Sequence, residues 1–157
     1  MTDGLALAAV IGLVFVNAFF VAAEFAIVTI RRARVDAMVR SGSRRAKLLS
    51  AILGDLDAHI SAIQLAITAV GLAIGWLGEP AIASNLSDAL KVAGVSSDTA
   101  IRTVSFLIAF LFITSLVVIA GELAPKFLGL RRTEQVALSS APLIYGIARA
   151  TRPVLNF

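Results

Sequence analysis

The chain has 157 residues, 59% of them hydrophobic and 15% charged, with a formal net charge of +4. Soluble domains average roughly 45–50% apolar and about 25% charged residues, so a water-soluble enzyme is excluded, and a disordered chain equally. With no cysteine and one histidine, disulfides, thiolate nucleophiles and thiolate metal sites are ruled out, and zinc or haem would lack nitrogen ligands.

The first element, Leu5 to Ile30, is 26 residues long with one ionisable group, Glu24. At about 1.5 Å per residue it reaches roughly 39 Å, enough to cross a bilayer with tilt or overhang. A signal peptide fits badly, because no basic stretch precedes the segment while Arg31, Arg32 and Arg34 follow it. The second run, His59 to Leu77, is softened by Ser61, Gln64 and Thr68, and Gly78-Glu79-Pro80 is expected to end it. Ala81 to Ala100 holds a short amphipathic stretch flanked by Asp88 and Lys91, then a loop over Gly94 to Asp98. The third run is Thr103 to Leu123, uncharged until Glu122. A final apolar stretch, Val136 to Ala148, is short for a span and reads as part of an amphipathic juxtamembrane helix over about 133–150, lying at the inner interface. The fold class expected is therefore all-α and membrane-bound, with three transmembrane helices plus that juxtamembrane helix. The ending Thr151-Arg152-Pro153-Val154-Leu155-Asn156-Phe157 reads as a membrane domain cut from a longer protein.

Charge fixes an orientation. Residues 31–58 hold seven of the 14 basic residues and residues 124–157 hold five more, whereas residues 78–100 hold only Lys91 against Glu79, Asp88 and Asp98. The positive-inside rule puts the N-terminus outside and both basic segments in the cytoplasm, in the plasma or inner membrane. The basic excess then reports topology, and nucleic acid is not an expected partner.

Polar groups inside spans are functional candidates. Asn17 and Glu24, seven residues apart, share one face of the first helix. In the second, Ser61, Gln64, Thr68, Gly71, Gly75 and Gly78 form a polar-then-small stripe suited to close helix contact. In the third, Ser115 shares a face with Glu122, and Thr114 with Gly121. Pro125 lacks an N–H, so the Gly121 carbonyl loses its helical partner and must find a donor, a water or a cation. Glu24 and Glu122 lie seven and nine residues before Arg31 and Arg131, roughly 10–14 Å from the inner basic rim. Thr68 stands nine residues past His59, at a similar depth. Amide, hydroxyl, carbonyl and carboxylate oxygens are hard ligands that suit Mg²⁺ or Ca²⁺, and two carboxylates neutralise one divalent ion.

Each residue also has a plainer reading. Asn17 serves as interhelical glue, Glu122 pairs with Lys126 at i, i+4, and Glu24 stays neutral and hydrogen-bonded. Thr68 bonds back to its own helix, the glycine stripe only packs, and His59 is an interfacial residue. The convergence of three helices on one depth favours a shared site.

Three stretches carry a family resemblance: NAFFVAAEFAIVTIRRAR from Asn17 to Arg34, QLAITAVGLAIGWLGEPAIA from Gln64 to Ala83, and GELAPKFLGL from Gly121 to Leu130. Their order and spacing resemble the transmembrane domain of the CorC/CNNM magnesium transporters, many once labelled haemolysin-like. The resemblance implies a homodimer of three-span subunits, followed in the family by ATP-binding cytosolic CBS domains absent from this chain. It also implies an intramembrane Mg²⁺ site with Asn17, Glu24, Thr68, Gly121 and Glu122 as members. Relatives often carry serine where Ala23 and Gly71 stand here, so fewer hydroxyls are on offer. The function expected is Mg²⁺ transport through a site in the inner half of the bundle. The alternative is a non-transporting anchor and dimerisation module for cytosolic sensor domains. An enzyme is not expected, since no nucleophile–base pair or cofactor motif occurs.

Overall fold

A bilayer demands that backbone polar groups be satisfied within each segment, and the described residues of this chain answer with helices. The computed structural model describes residues 3–94 and 96–155, with no strand among them. Three stretches, Gly4–Thr29, Leu56–Val92 and Asp98–Arg131, are long and apolar enough to cross a membrane.

Helix α1 (Asp3–Thr29) is the first expected span. The basic segment after it contains two short helices that the sequence reading did not anticipate, α2 (Arg32–Arg40) and α3 (Arg44–Gly54). Gly42, at φ +88°, makes the turn between them, and Ser43 caps α3 by accepting from the Ala46 N–H. One face of each is apolar and buried: Val35 on α2, and Ala46, Leu49 and Ile52 on α3.

Helix α4 (Leu56–Val92) corrects the expected second span, because it does not stop at Gly78-Glu79-Pro80. Pro80 forfeits one hydrogen bond and crowds the Trp76 carbonyl, but ending the helix would strand several more backbone groups at membrane depth. Gly78 also fixes the helix in place: a Cβ there would lie 2.9 Å from Ile113 Cδ1 and 3.3 Å from Val10 Cγ2. The expected amphipathic stretch after Pro80 is the continuation of α4. Its 37 residues span about 55 Å, beyond a hydrocarbon core of about 30 Å.

The third span is segmented. Helix α5 (Asp98–Leu116), capped by Ser97, passes into a π-helical stretch, Val117–Leu123, and then into α6 (Ala124–Arg131). The physical reason is Pro125: its ring would clash with the Gly121 carbonyl in a regular α-turn, and a wider turn relieves that clash. Near the far end, Ser87 Oγ donates to Ser105 Oγ at 3.0 Å and ties α4 to α5.

Helix α7 (Thr133–Leu155) covers the expected juxtamembrane segment. It is more than a surface helix, since Ala137, Ala141 and Ile144 join Phe20, Ala23 and Ile27 of α1, Leu49 and Ile52 of α3, and Ile63 of α4 in one apolar cluster. Arg34 of α2 donates to Glu134 of α7 at 2.9 Å, and that hydrogen bond, then the opposite charge, holds the guanidinium above its ordinary pKa. A second cluster, Val10, Val14, Ile74 and Ile113, joins α1, α4 and α5 towards the other end. Asn17 sits in α1 between the two clusters, and the polar layer begins there.

Candidate cation site

Asn17 is 4% exposed, and its amide Nδ2 donates to the Gly121 carbonyl at 3.1 Å. The oxygen that Pro125 deprives of its helical partner has thus found a donor on another helix. Close approach requires the glycine, because a Cβ at Gly121 would stand 3.2 Å from Asn17 Nδ2. The same hydrogen bond fixes the amide's orientation, as a carbonyl only accepts. Asn17 Oδ1 is consequently turned elsewhere, buried and without a hydrogen-bond partner. Such an orphaned acceptor carries a real desolvation cost, about 1–3 kcal/mol, unless a donor or cation reaches it.

Asn17, Glu24 and Glu122 line one cavity of about 310 Å³, with Val21, Phe25, Gln64, Ile67, Gly71 and Val117. Glu24 is half-buried there, and Gln64 Nε2 of α4 donates to its Oε1 at 2.6 Å. Glu122 is exposed at the cavity's open side. No ion pair joins it to Lys126 among the described residues; the Lys126 ammonium lies 4.6 Å from the centroid of the Phe25 ring. Four of the five expected site residues therefore gather at one place: Asn17, Glu24 and Glu122 on the cavity wall, and Gly121 through its bond to Asn17. Thr68 does not line it and is exposed on α4, one turn beyond Gln64.

Gln64 belongs to the polar stripe but not to the expected site residues; its spacing from Thr68 and its amide chemistry are the signals that point to it. Phe25 carried none, and the only signal for the π-helical stretch is Pro125, two residues past its end. Gly71 and Val117 also line a second cavity of about 240 Å³ with Gly75, Glu79 and Thr114. The two cavities thus share a wall along the α4–α5 groove. His59, read as interfacial, is buried, with Nδ1 donating to the Asp55 carbonyl at 2.6 Å and its ring stacked on Tyr145.

Among the described residues no group of three or more His, Cys, Asp or Glu forms a metal cluster. The donors are instead two carboxylates, an amide oxygen and a carbonyl, all hard oxygen.

Comparison with known proteins agrees with the fold. The chain is 43% identical over 126 residues to UPF0053 protein YhdT of Bacillus subtilis (strain 168), covering 80% of this chain and 27% of that protein. It is 41% identical over 152 residues to UPF0053 protein YugS of the same organism, covering 97% of this chain and 35% of that one. Uncharacterized protein Rv1841c of Mycobacterium tuberculosis (strain ATCC 25618 / H37Rv) is 32% identical over 145 residues, 92% of this chain and 41% of that protein. The chain spans roughly a third of the length of these curated relatives. Residues 8–157 match the family described as the cyclin M transmembrane N-terminal domain. With a bundle of three apolar spans and a family match over nearly its whole length, the chain belongs to the CNNM/UPF0053 family of membrane domains.

Proposed function

We propose that this domain moves a divalent cation, Mg²⁺, across the membrane through the cavity between α1, α4 and the π-helical stretch. The observation that carries this reading is the buried, unpartnered Asn17 Oδ1 in a cavity that also holds two carboxylates. A pure anchor needs small residues for packing but gains nothing from an orphaned acceptor beside Glu24 and Glu122. Asn17 Oδ1, Glu24 and Glu122 supply ligands and neutralise the ion, Gln64 steadies Glu24, and water fills the remaining positions. Mg²⁺ usually keeps several waters, and 310 Å³ has room for them, since one water needs about 10–15 Å³ of such volume.

The shared wall at Gly71 and Val117 supports the α4–α5 groove as the route onward, past Glu79 and Thr114. The groove is open in a single chain, so the working unit in this reading is a homodimer whose second copy closes it. The clustering of α2, α3 and α7 with their basic residues at one end supports a cytoplasmic placement for that end and an outside N-terminus.

The test is purified protein in liposomes loaded with a Mg²⁺-sensitive dye, together with Mg²⁺-dependent thermal stabilisation. An inward gradient should produce a dye response. Glu122→Gln keeps size and hydrogen bonding while removing one charge, and should weaken apparent Mg²⁺ affinity more than tenfold, about 1.4 kcal/mol. Unchanged affinity and no flux would return the domain to the anchor reading.

A further inference from the structure

Where α3, α4 and α7 meet, a cavity of about 450 Å³ shares no lining residue with the cation cavity. Ala58 and Ala148 leave the room, and His59, Tyr145, Arg149 and Asp55 supply the chemistry. His59 is 7% exposed, and its Nδ1 is committed as a donor to the Asp55 carbonyl. Nε2 therefore carries a lone pair in the neutral ring and a second donor in the protonated one. It makes no hydrogen bond, yet it is not sealed off, since Asn17 Oδ1 is the only sealed, unpartnered side-chain polar atom among the described residues. Nε2 is thus open to the cavity that the ring lines. Tyr145, stacked on the imidazole, leaves its hydroxyl without a hydrogen bond among the described residues. Arg149 is exposed and makes neither an ion pair nor a hydrogen bond among them. Asp55, the acid on this wall, already has a partner.

The cavity lies at a definite depth. Gln64 of α4 meets Glu24 of α1. Counting from that contact towards the basic end, His59 stands five residues from Gln64 and Arg31 seven from Glu24, about 7.5 and 10.5 Å along their helices. His59 is therefore close to the level of the basic rim, where lipid phosphates sit. We propose that this cavity binds a phosphate group, presented by the headgroup of an anionic lipid. Arg149 engages two of its oxygens as a planar fork, and Tyr145 donates from its hydroxyl. His59 donates from Nε2 as an imidazolium while Nδ1 stays on the Asp55 carbonyl. With His59 neutral, the charges of Arg149 and Asp55 cancel and a lone pair faces the guest. One proton gives the lining a net positive charge and a further donor. Binding is thus coupled to a proton on His59, with Asp55, Tyr145 and Arg149 the titratable and charged groups that share its cavity. A lipid held there ties α7 to α3 and α4 at the membrane surface.

The plainer alternative is a core histidine that only stacks and an arginine that only reaches water. The test titrates purified full chain in detergent, without Mg²⁺, and reads the thermal midpoint. The probes are a short-chain phosphatidylglycerol, whose diester charge is constant near neutral pH, inorganic phosphate, and a diacylglycerol of the same chain length. Phosphatidylglycerol should raise the midpoint and diacylglycerol should not. Arg149→Gln, an exposed position whose change leaves the fold intact, should weaken apparent affinity for phosphatidylglycerol about fivefold, and Arg149→Lys should weaken it less. Lowering the pH from about 8 to about 6 should tighten wild-type affinity about threefold, because histidine ordinarily gains its proton in that range, and His59→Gln should abolish this response. Arg44→Gln, outside the cavity, should change neither. Inorganic phosphate should bind about tenfold more weakly than the lipid; equal or tighter binding of the free ion overturns the lipid as the source and leaves the phosphate site standing. The site itself is overturned by equal stabilisation from diacylglycerol, by no shift with either phosphate probe, by affinity unchanged in Arg149→Gln, by a loss in Arg44→Gln as large as in Arg149→Gln, or by a pH response that survives His59→Gln.

Discussion

The seam between α1 and α6 and the groove between α4 and α5 are both built on glycine, and they use it in opposite ways. At Gly129, a Cβ would stand 2.5 Å from the Ala22 carbonyl oxygen, so two backbones touch there. At Gly71 and Gly75, a Cβ would meet nothing within 4 Å. The seam is closed by its small residues, whereas the groove is kept open by them. Small residues at helical spacing thus mark close approach or vacant room alike, and only the neighbour across the gap tells which. The difference also fits the site: the seam holds Asn17 and Gly121 in register as a fixed wall, and the groove leaves a way along α4.

The strongest way to break this comparison is Gly129→Ala. The added methyl meets backbone rather than the end of a flexible side chain, so α1 and α6 must separate. A loss of about 3 kcal/mol is expected, near the top of the range for overpacking, read as a lower thermal midpoint in detergent. A midpoint unchanged would mean the seam is looser than its geometry.

Pro125→Ala should come next and act on binding rather than folding. It restores an N–H that recaptures the Gly121 carbonyl, removes the reason for the π-helical stretch and makes the Asn17 amide share its acceptor with the helix. Apparent Mg²⁺ affinity should fall about fivefold, roughly 1 kcal/mol, while stability without metal stays equal or rises. Affinity equal to wild type would detach the freed carbonyl from the site.

The smallest effects belong to the groove. Gly71→Ala and Gly75→Ala should leave the stability of the single chain unchanged or raise it by up to about 1 kcal/mol, read as an equal or higher thermal midpoint, since alanine is the better helix former. The yield of crosslinked dimer in lipid should nevertheless drop, because the vacant face is where a second copy would approach. A fall in the single-chain midpoint like that of Gly129→Ala would erase the contrast between seam and groove.

Much of this was readable in advance, for reasons local to the chain. Three long apolar runs must be helices in a bilayer, because an unpaired backbone group there is too costly. Glu24, Glu122 and Asn17 were legible as candidates because each is a polar group in such a run, and Pro125 because a missing N–H has a definite consequence four residues back. Partner choice was another matter. The Gly121 carbonyl needed a donor, but the sequence left a water or a cation as open as the Asn17 amide, 104 positions away. The i, i+4 rule offered Glu122 to Lys126, yet the ammonium went to Phe25 on another helix. Pro80 read as a stop until Gly78, packed on Ile113 and Val10, held α4 in line. Thr68 shared the right depth and the stripe of Gln64 and Gly71, yet it does not line the cavity. Depth and helicity follow from spacing along one chain and the cost of leaving water; which oxygen meets which cation depends on how the helices rotate and close on one another, and packing between residues remote in sequence decides that.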